Sequence, residues 1–173
     1  MLFRSTFDEW RERTGHTILE RYGMSETIML TSNPYRAQDG ARVGGTVGYA
    51  LPGVGVRVHS DQGRPVPTGD IGGIQVRGPN VFKGYWRMPE KTAEEFTADG
   101  WFKTGDVAVV EDGYYRIMGR SSVDIIKSGG YKISALEIEE ELRKHPAISD
   151  CAVVGIPNDE WGELIVKIGR AHV

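Results

Sequence analysis

Ser25 and Glu26 place a hydroxyl and a carboxylate side by side, directly after Tyr22-Gly23-Met24. A strand running into a glycine turn presents such side chains, together with free backbone amides, at a sheet edge. The hydroxyl can bind a phosphate oxygen. The carboxylate is the hard oxygen ligand that Mg²⁺ takes while keeping several of its waters. By itself the string is equally a strand end with incidental polar residues. Asp106, held by Thr104-Gly105, can accept two hydrogen bonds from vicinal hydroxyls such as those of a ribose. It also reads as an ordinary turn aspartate before a strand. Arg120, after Gly119, carries a rigid fork of donors suited to ribose or phosphate.

These residues need elements to hold them. Residues 7–13 read as the tail of a helix with Phe7 and Trp10 on its apolar side, ended by Thr14-Gly15. Residues 16–22 read as a strand leading into the Gly23 turn. Short β-prone runs follow at 54–59, 73–77, 107–110 and 114–118, separated by Gly, Pro and Asp-Gly turns. That pattern predicts a small barrel or sandwich, with Asp112-Gly113 turning a hairpin. After Gly119 the pattern changes. Ser134 and Glu137 form a capping box, Leu136, Ile138 and Leu142 give a helical apolar side, and Pro146 stops the helix. Residues 151–156 and 164–166 read as buried strands. The fold class expected is α+β, with a domain boundary near residues 120–124.

Composition excludes several alternatives. The chain has 173 residues, 39% hydrophobic and 26% charged, as an ordinary globular protein does. A net charge of −3 gives no electrostatic case for nucleic acid or an anionic membrane. No apolar run approaches the roughly 20 residues of a membrane span. Cys151 is the single cysteine and sits among Ala152, Val153 and Val154, so it reads as a small buried apolar residue rather than a nucleophile.

Taken together and in this order, Tyr22-Gly23-Met24-Ser25-Glu26, Thr104-Gly105-Asp106, and Gly119-Arg120 followed by Asp124-Ile125-Ile126-Lys127-Ser128-Gly129-Gly130 resemble the second half of an adenylate-forming enzyme of the acyl-CoA synthetase type. Within that superfamily, Leu19-Glu20-Arg21, Thr31-Ser32-Asn33-Pro34-Tyr35 and residues 80–87 look like malonyl-CoA synthetases. The resemblance implies a two-step, ATP-dependent ligase. A carboxylate would attack the ATP α-phosphate, and CoA thiol would then displace AMP. It implies ATP or AMP contacts at Tyr22, Gly23, Met24, Ser25, Asp106 and Arg120, with Mg²⁺ on Glu26. It implies catalytic roles for Ser25, Glu26 and Lys127, and CoA passing Gly129 and Gly130, whose lack of side chains lets the pantetheine arm approach the backbone. Met24 and Arg21 would face the acyl group, Arg21 as partner of a second carboxylate. The alternative for Arg21 is a pair with Glu20 or another structural acid, and for Lys127 a solvated position in a loop. Trp86 is expected to pack rather than stack on a cofactor.

The resemblance also implies domains: residues 6–119 as the end of a large AMP-binding domain with a small β-barrel-like subdomain, 120–124 as a hinge, with Ser122 or Val123 as the pivot, and 125–166 as the start of a mobile α/β domain. The family's phosphate loop would precede residue 6 and its late lysine would follow residue 166, so the chain alone is expected to be inactive. The two ends, residues 1–5 and 167–173, are expected to be adapter-derived, because Leu2-Phe3-Arg4-Ser5 and the closing Lys167-Ile168-Gly169-Arg170-Ala171-His172-Val173 can be encoded by complementary DNA tracts. The expected partners are a small carboxylate (malonate or similar), ATP and CoA, with no nucleic acid and no membrane. The expected compartment is the cytoplasm or an organelle. The alternatives are a ligase for another short or medium carboxylate, an adenylation domain of a peptide synthetase, and a stand-alone binding module.

Overall fold

The computed structural model describes residues 4–171, in two compact units, Met1–Ile117 and Met118–Val173. Residues 1–3 and 172–173, with that part of the expectation about the ends, lie outside the described residues.

The first unit opens with helix α1 (Arg4–Thr14), closed by Gly15 at φ +72°, whose amide donates to the Arg11 carbonyl. This is the left-handed C-terminal stop that Thr14-Gly15 predicts. Phe7 is buried, its ring against Gly44, where any side chain would collide with it. Residues 16–20 form no ladder among the described residues; the strand begins later than expected, as β1 (Arg21–Met24). What orders the approach is polar: Arg42 donates to the Thr17 carbonyl, and the Asn33 amide to the Glu20 carbonyl.

β1 pairs with β2 (Ile28–Ser32), and β2 with the two-residue β3 (Tyr49–Ala50). A second antiparallel sheet runs in the order β4 (Gly55–His59), β5 (Gly72–Arg77), β6 (Phe102–Glu111), β7 (Tyr114–Arg120). Helix α2 (Pro89–Glu95) lies between β5 and β6 in the chain, with proline in its first turn. The β6–β7 turn has Asp112 at φ +50° and Gly113 at φ +83°, the doubly positive turn that matches strand twist. Leu30 from the small sheet packs with Ile74, Val76, Phe102 and Ala108 from the larger one, and Phe82 and Phe96 close around them.

The expected barrel is not there: among the described residues no sheet closes on itself. Closure would need β7 to pair back to β4. Instead the free edge of β7 is taken by residues 47–48, with the Val47 amide on the Tyr115 carbonyl at 2.8 Å and the Tyr115 amide on the Gly48 carbonyl at 2.9 Å. Between β7 and β4 there is a side-chain link, the Tyr115 hydroxyl donating to the Val56 carbonyl. The sheets shield their apolar faces by stacking, which leaves edges that a barrel would abolish.

The second unit is an antiparallel sheet in the order β10 (Ile148–Asn158), β11 (Gly162–Ala171), β8 (Ile125–Ser128), β9 (Tyr131–Ser134), with helix α3 (Ala135–Arg143) against one face. The core there is Ile126, Ala135 and Val153, with Ile138 and Leu142 packed on it. The Ser134 side chain accepts the Glu137 amide and donates to the Met118 carbonyl, so it caps α3 and anchors the preceding chain. Cys151 and Val153 are buried, whereas Val154 and Ile156 on the other face of β10 stay exposed, as do Leu164 and Ile165 of β11, so the expected burial holds for one face of β10. Residues 167–171, expected as part of an artefact, continue β11 opposite β10.

Candidate functional site

Ser25, Glu26 and Thr27 form the turn joining β1 to β2, and the Thr27 amide donates to the Met24 carbonyl. Gly23 makes this turn possible. The register shifts between Tyr22 and Gly23, and a Cβ on Gly23 would lie 1.8 Å from the Ile28 carbonyl oxygen. Ile28 itself sits at φ +57°. The turn is fastened from outside by the segment after β5. The Phe82 amide donates to the Glu26 carbonyl at 2.7 Å, and the Asn80 side-chain amide donates to the Thr27 and Met29 carbonyls.

The tertiary structure then brings the first two sequence motifs together. Tyr22 donates its hydroxyl to Asp106 Oδ2 at 2.5 Å, across 84 residues of chain. Asp106 lies on β6, its residue only 9% exposed. Its amide is held by the Thr104 hydroxyl, which in turn donates to the Ile74 carbonyl. Gly105, at φ +78°, supplies the positive φ between Thr104 and Asp106. Ser25 is exposed and its hydroxyl has no hydrogen bond among the described residues. Glu26 is half-buried, with Oε1 accepting the Tyr85 hydroxyl at 3.1 Å. The Tyr85 hydroxyl is pushed above its ordinary pKa, first by burial and then by this hydrogen bond to a carboxylate, so it stays a donor at neutral pH. Tyr85 is the residue that sequence reading missed in this role. It stands 59 residues from Glu26, and no spacing rule links the two.

Glu26 suits Mg²⁺ as that ion is usually held, through one carboxylate with phosphates and water completing the shell. Among the described residues no group of three or more His, Cys, Asp or Glu forms a closed metal cage. Met24 packs on the Leu30 core. Arg21 is exposed. The Glu20 carboxylate accepts the Gly45 amide through Oε2 at 2.9 Å. Trp86, expected to pack, is 84% exposed, with the Arg87 guanidinium 5.6 Å from its ring centre.

Arg120, Lys127, Gly129 and Gly130 belong to the other unit. Arg120 begins a tight turn in which Asp124 accepts the Arg120 amide at 2.7 Å and the Asp124 amide returns to the Arg120 carbonyl. Gly119, at φ +126°, leaves no room for a Cβ, which would lie 2.4 Å from that of Asp124. Ser122 and Val123 are both exposed in this turn. Residues 125–134 are the β8–β9 hairpin, turned by Gly129 and Gly130 at φ +58° and +83°. The signal was present: Gly-Gly flanked by β-branched runs is a two-residue hairpin turn. The Lys127 side chain is exposed, and its amide donates to Glu163 at 2.5 Å. Gly129 donates to the Trp161 carbonyl, and the Trp161 ring lies against it.

Two family models match the chain: AMP-binding enzyme over residues 2–86, and AMP-binding enzyme C-terminal domain over residues 137–168. The mitochondrial malonate–CoA ligase of Mus musculus is 49% identical, over 93% of this chain and 30% of its own length. The malonate–CoA ligase of Arabidopsis thaliana is 49% identical, over 95% of this chain and 26% of its own. The ATP-bound crystal structure of MatB from Rhodopseudomonas palustris superposes with a TM-score of 0.87 at 50% identity, over 97% of this chain and 33% of that one. The chain thus spans about a third or less of the length of each of these relatives. With both family models matched in order, and with the fold shared at half identity, the chain belongs to the AMP-binding enzyme family.

Proposed function

We propose that the protein of which this chain forms part is an ATP-dependent, AMP-forming carboxylate–CoA ligase acting on malonate. The observation that carries the reading is the Tyr22–Asp106 hydrogen bond, which gathers two motifs into one corner beside Ser25 and Glu26. The relatives named as malonate–CoA ligases, at 49% identity, supply the substrate.

Asp106 accepts the ribose hydroxyls, and Tyr22 fixes its orientation while the Tyr22 ring borders the adenine. Ser25 donates to a phosphate oxygen. Glu26 would hold Mg²⁺, which neutralises phosphate charge when bound. Gly23 and Met24 shape the same corner, with Met24 limiting the acyl pocket and Arg21 attracting the second carboxylate of a diacid. The expected pivot lies at Ser122 or Val123. Turning there would replace the first-step arrangement, in which Arg120 meets the nucleotide, with one in which Lys127, Gly129 and Gly130 line the thiol's path. These partners are small and water-soluble, which suits the cytoplasm or an organelle interior; no helix among the described residues is long and apolar enough to cross a membrane. We assign the activity to a protein of the relatives' length, and expect the 173-residue chain alone to lack it.

A second reading is a ligase for another carboxylate. A long-chain-fatty-acid–CoA ligase of Yersinia pestis also aligns, at 37% identity over 94% of this chain. One experiment separates them. The full-length protein is assayed for ATP- and CoA-dependent thioester formation with malonate, methylmalonate, acetate and octanoate. Preference for malonate is expected; turnover of the monocarboxylates alone would select the second reading.

A further inference from the structure

Glu26 is the only residue of this chain to which the reading above gives a metal, so what fixes its carboxylate decides how well the metal is held. Its backbone is already tied, through its carbonyl, to the Phe82 amide. Its side chain is met by one protein group, the Tyr85 hydroxyl on Oε1 at 3.1 Å. Tyr85 is itself held from three sides. Its amide donates to the Thr92 hydroxyl at 2.9 Å, and that hydroxyl donates to the Met88 carbonyl. The Phe82 ring meets the Tyr85 ring edge-on, with centres 4.8 Å apart. Next to it, Gly84 at φ +152° brings the backbone so close to Thr92 that a Cβ would lie 2.7 Å from the Thr92 methyl. A donor fixed this firmly leaves the carboxylate little freedom to rotate. It occupies Oε1 and leaves Oε2 without a hydrogen-bond partner among the described residues.

We propose that Tyr85 is a positioning residue for the metal-binding carboxylate: it holds Glu26 through Oε1 so that Oε2 is directed at Mg²⁺. This rests on the proposed reading of Glu26 as the Mg²⁺ ligand. Groups that orient a ligand in this way are worth about tenfold to a hundredfold in metal affinity. The arrangement also ties the metal to the core, since Phe82 packs on Phe96 and Phe102 behind Tyr85.

The test uses the full-length protein and Tyr85→Phe, which removes one oxygen and keeps the ring. Mn²⁺ binding in the presence of a non-hydrolysable ATP analogue is followed by electron paramagnetic resonance, alongside the Mg²⁺ dependence of adenylation. Tyr85→Phe is expected to weaken Mn²⁺ about tenfold and to raise the half-saturating Mg²⁺ by a similar factor, while the rate at saturating Mg²⁺ falls less than about threefold. In a Glu26→Gln background the same substitution is expected to change Mn²⁺ binding by less than about twofold, because the group it acts through is gone. Placing 4-aminophenylalanine at position 85 keeps both ring and donor and is expected to restore wild-type affinity. Unchanged metal binding in Tyr85→Phe, an equal loss in the Glu26→Gln background, or outright loss of folding would each overturn the inference. If wild-type protein binds the analogue without needing metal, or forms no thioester with any carboxylate, the underlying reading of the site fails instead.

Discussion

Single residues set the shape of the proposed nucleotide corner. Gly23 is required because the bulge brings the Ile28 carbonyl to where a Cβ would stand, 1.8 Å away. Gly23→Ala is therefore expected to cost more than about 3 kcal/mol, since backbone rather than a flexible side chain must move. Urea denaturation of the variant checks this, and a loss under about 1 kcal/mol would contradict it. Asp106 is a buried acceptor already satisfied on one oxygen by Tyr22. If it takes the ribose hydroxyls, Asp106→Ala raises KM for ATP in the full-length enzyme about tenfold or more, the worth of hydrogen bonds to a charged group. Steady-state kinetics with ATP varied would show it, and an unchanged KM would remove Asp106 from the nucleotide site.

At the scale of elements, two devices hold ladders in register. On the first unit's larger sheet, Arg57 of β4 donates to Gln75 of β5 and forks onto Asp99, while its guanidinium lies 4.3 Å from the centre of the Trp101 ring. Arg77 lies 4.7 Å from the same ring centre. The Arg57 hydrogen bonds, and then the Thr97 hydroxyl, hold the Asp99 carboxyl down at about 2, below its ordinary 3.8. A depressed acid stabilises the fold above its unfolded value and loses that contribution as pH falls through the folded one. Wild type should therefore melt above Asp99→Asn at pH 5 and higher, with the gap closing between about pH 4 and pH 2. The gap is small because Asp99 is exposed. Thermal melts at both ends of that window check the sign. In the second unit the hairpin turn carries the strain. Gly130 at φ +83° has open space around it, so Gly130→Ala meets conformational strain without a clash. A loss of about 1 kcal/mol is expected. If CoA passes this turn, thioester formation slows more than adenylation, which single-turnover assays of each half-reaction would separate.

At the scale of the whole molecule, the exposed face of the β10–β11 hairpin carries an apolar stretch between the Asp150–Arg170 pair and Asn158. Cross-strand pairs Ala152 with Ile168, Val154 with Val166 and Ile156 with Leu164 share one side, opposite the side that packs on α3. With β10 also at a sheet edge, the 173-residue chain is expected to self-associate. Light scattering should show mass rising with concentration, and Ile156→Lys with Ile168→Glu should suppress it; a monomer at all concentrations would refute the expectation.

The sequence alone determined the local features. The α1 stop at Gly15, the Asp112-Gly113 turn and the Ser134 cap each depend on a few neighbouring residues, because φ preference and capping act within one turn of chain. The order of the three motifs was legible for the same reason, as side-chain types at fixed spacing. The Gly129-Gly130 hairpin was legible too, but its glycines read only as room for the pantetheine arm. Three things belonged to the tertiary structure. β7 gave its edge to residues 47–48, so the expected barrel stayed open. Trp86 was left exposed. Tyr85 and Asp106 came to meet Glu26 and Tyr22 across 59 and 84 residues. Strand edges and hydroxyls have many acceptable partners. Which one each takes is decided by how the sheets stack around Leu30 and Phe102, a long-range outcome that no local pattern encodes.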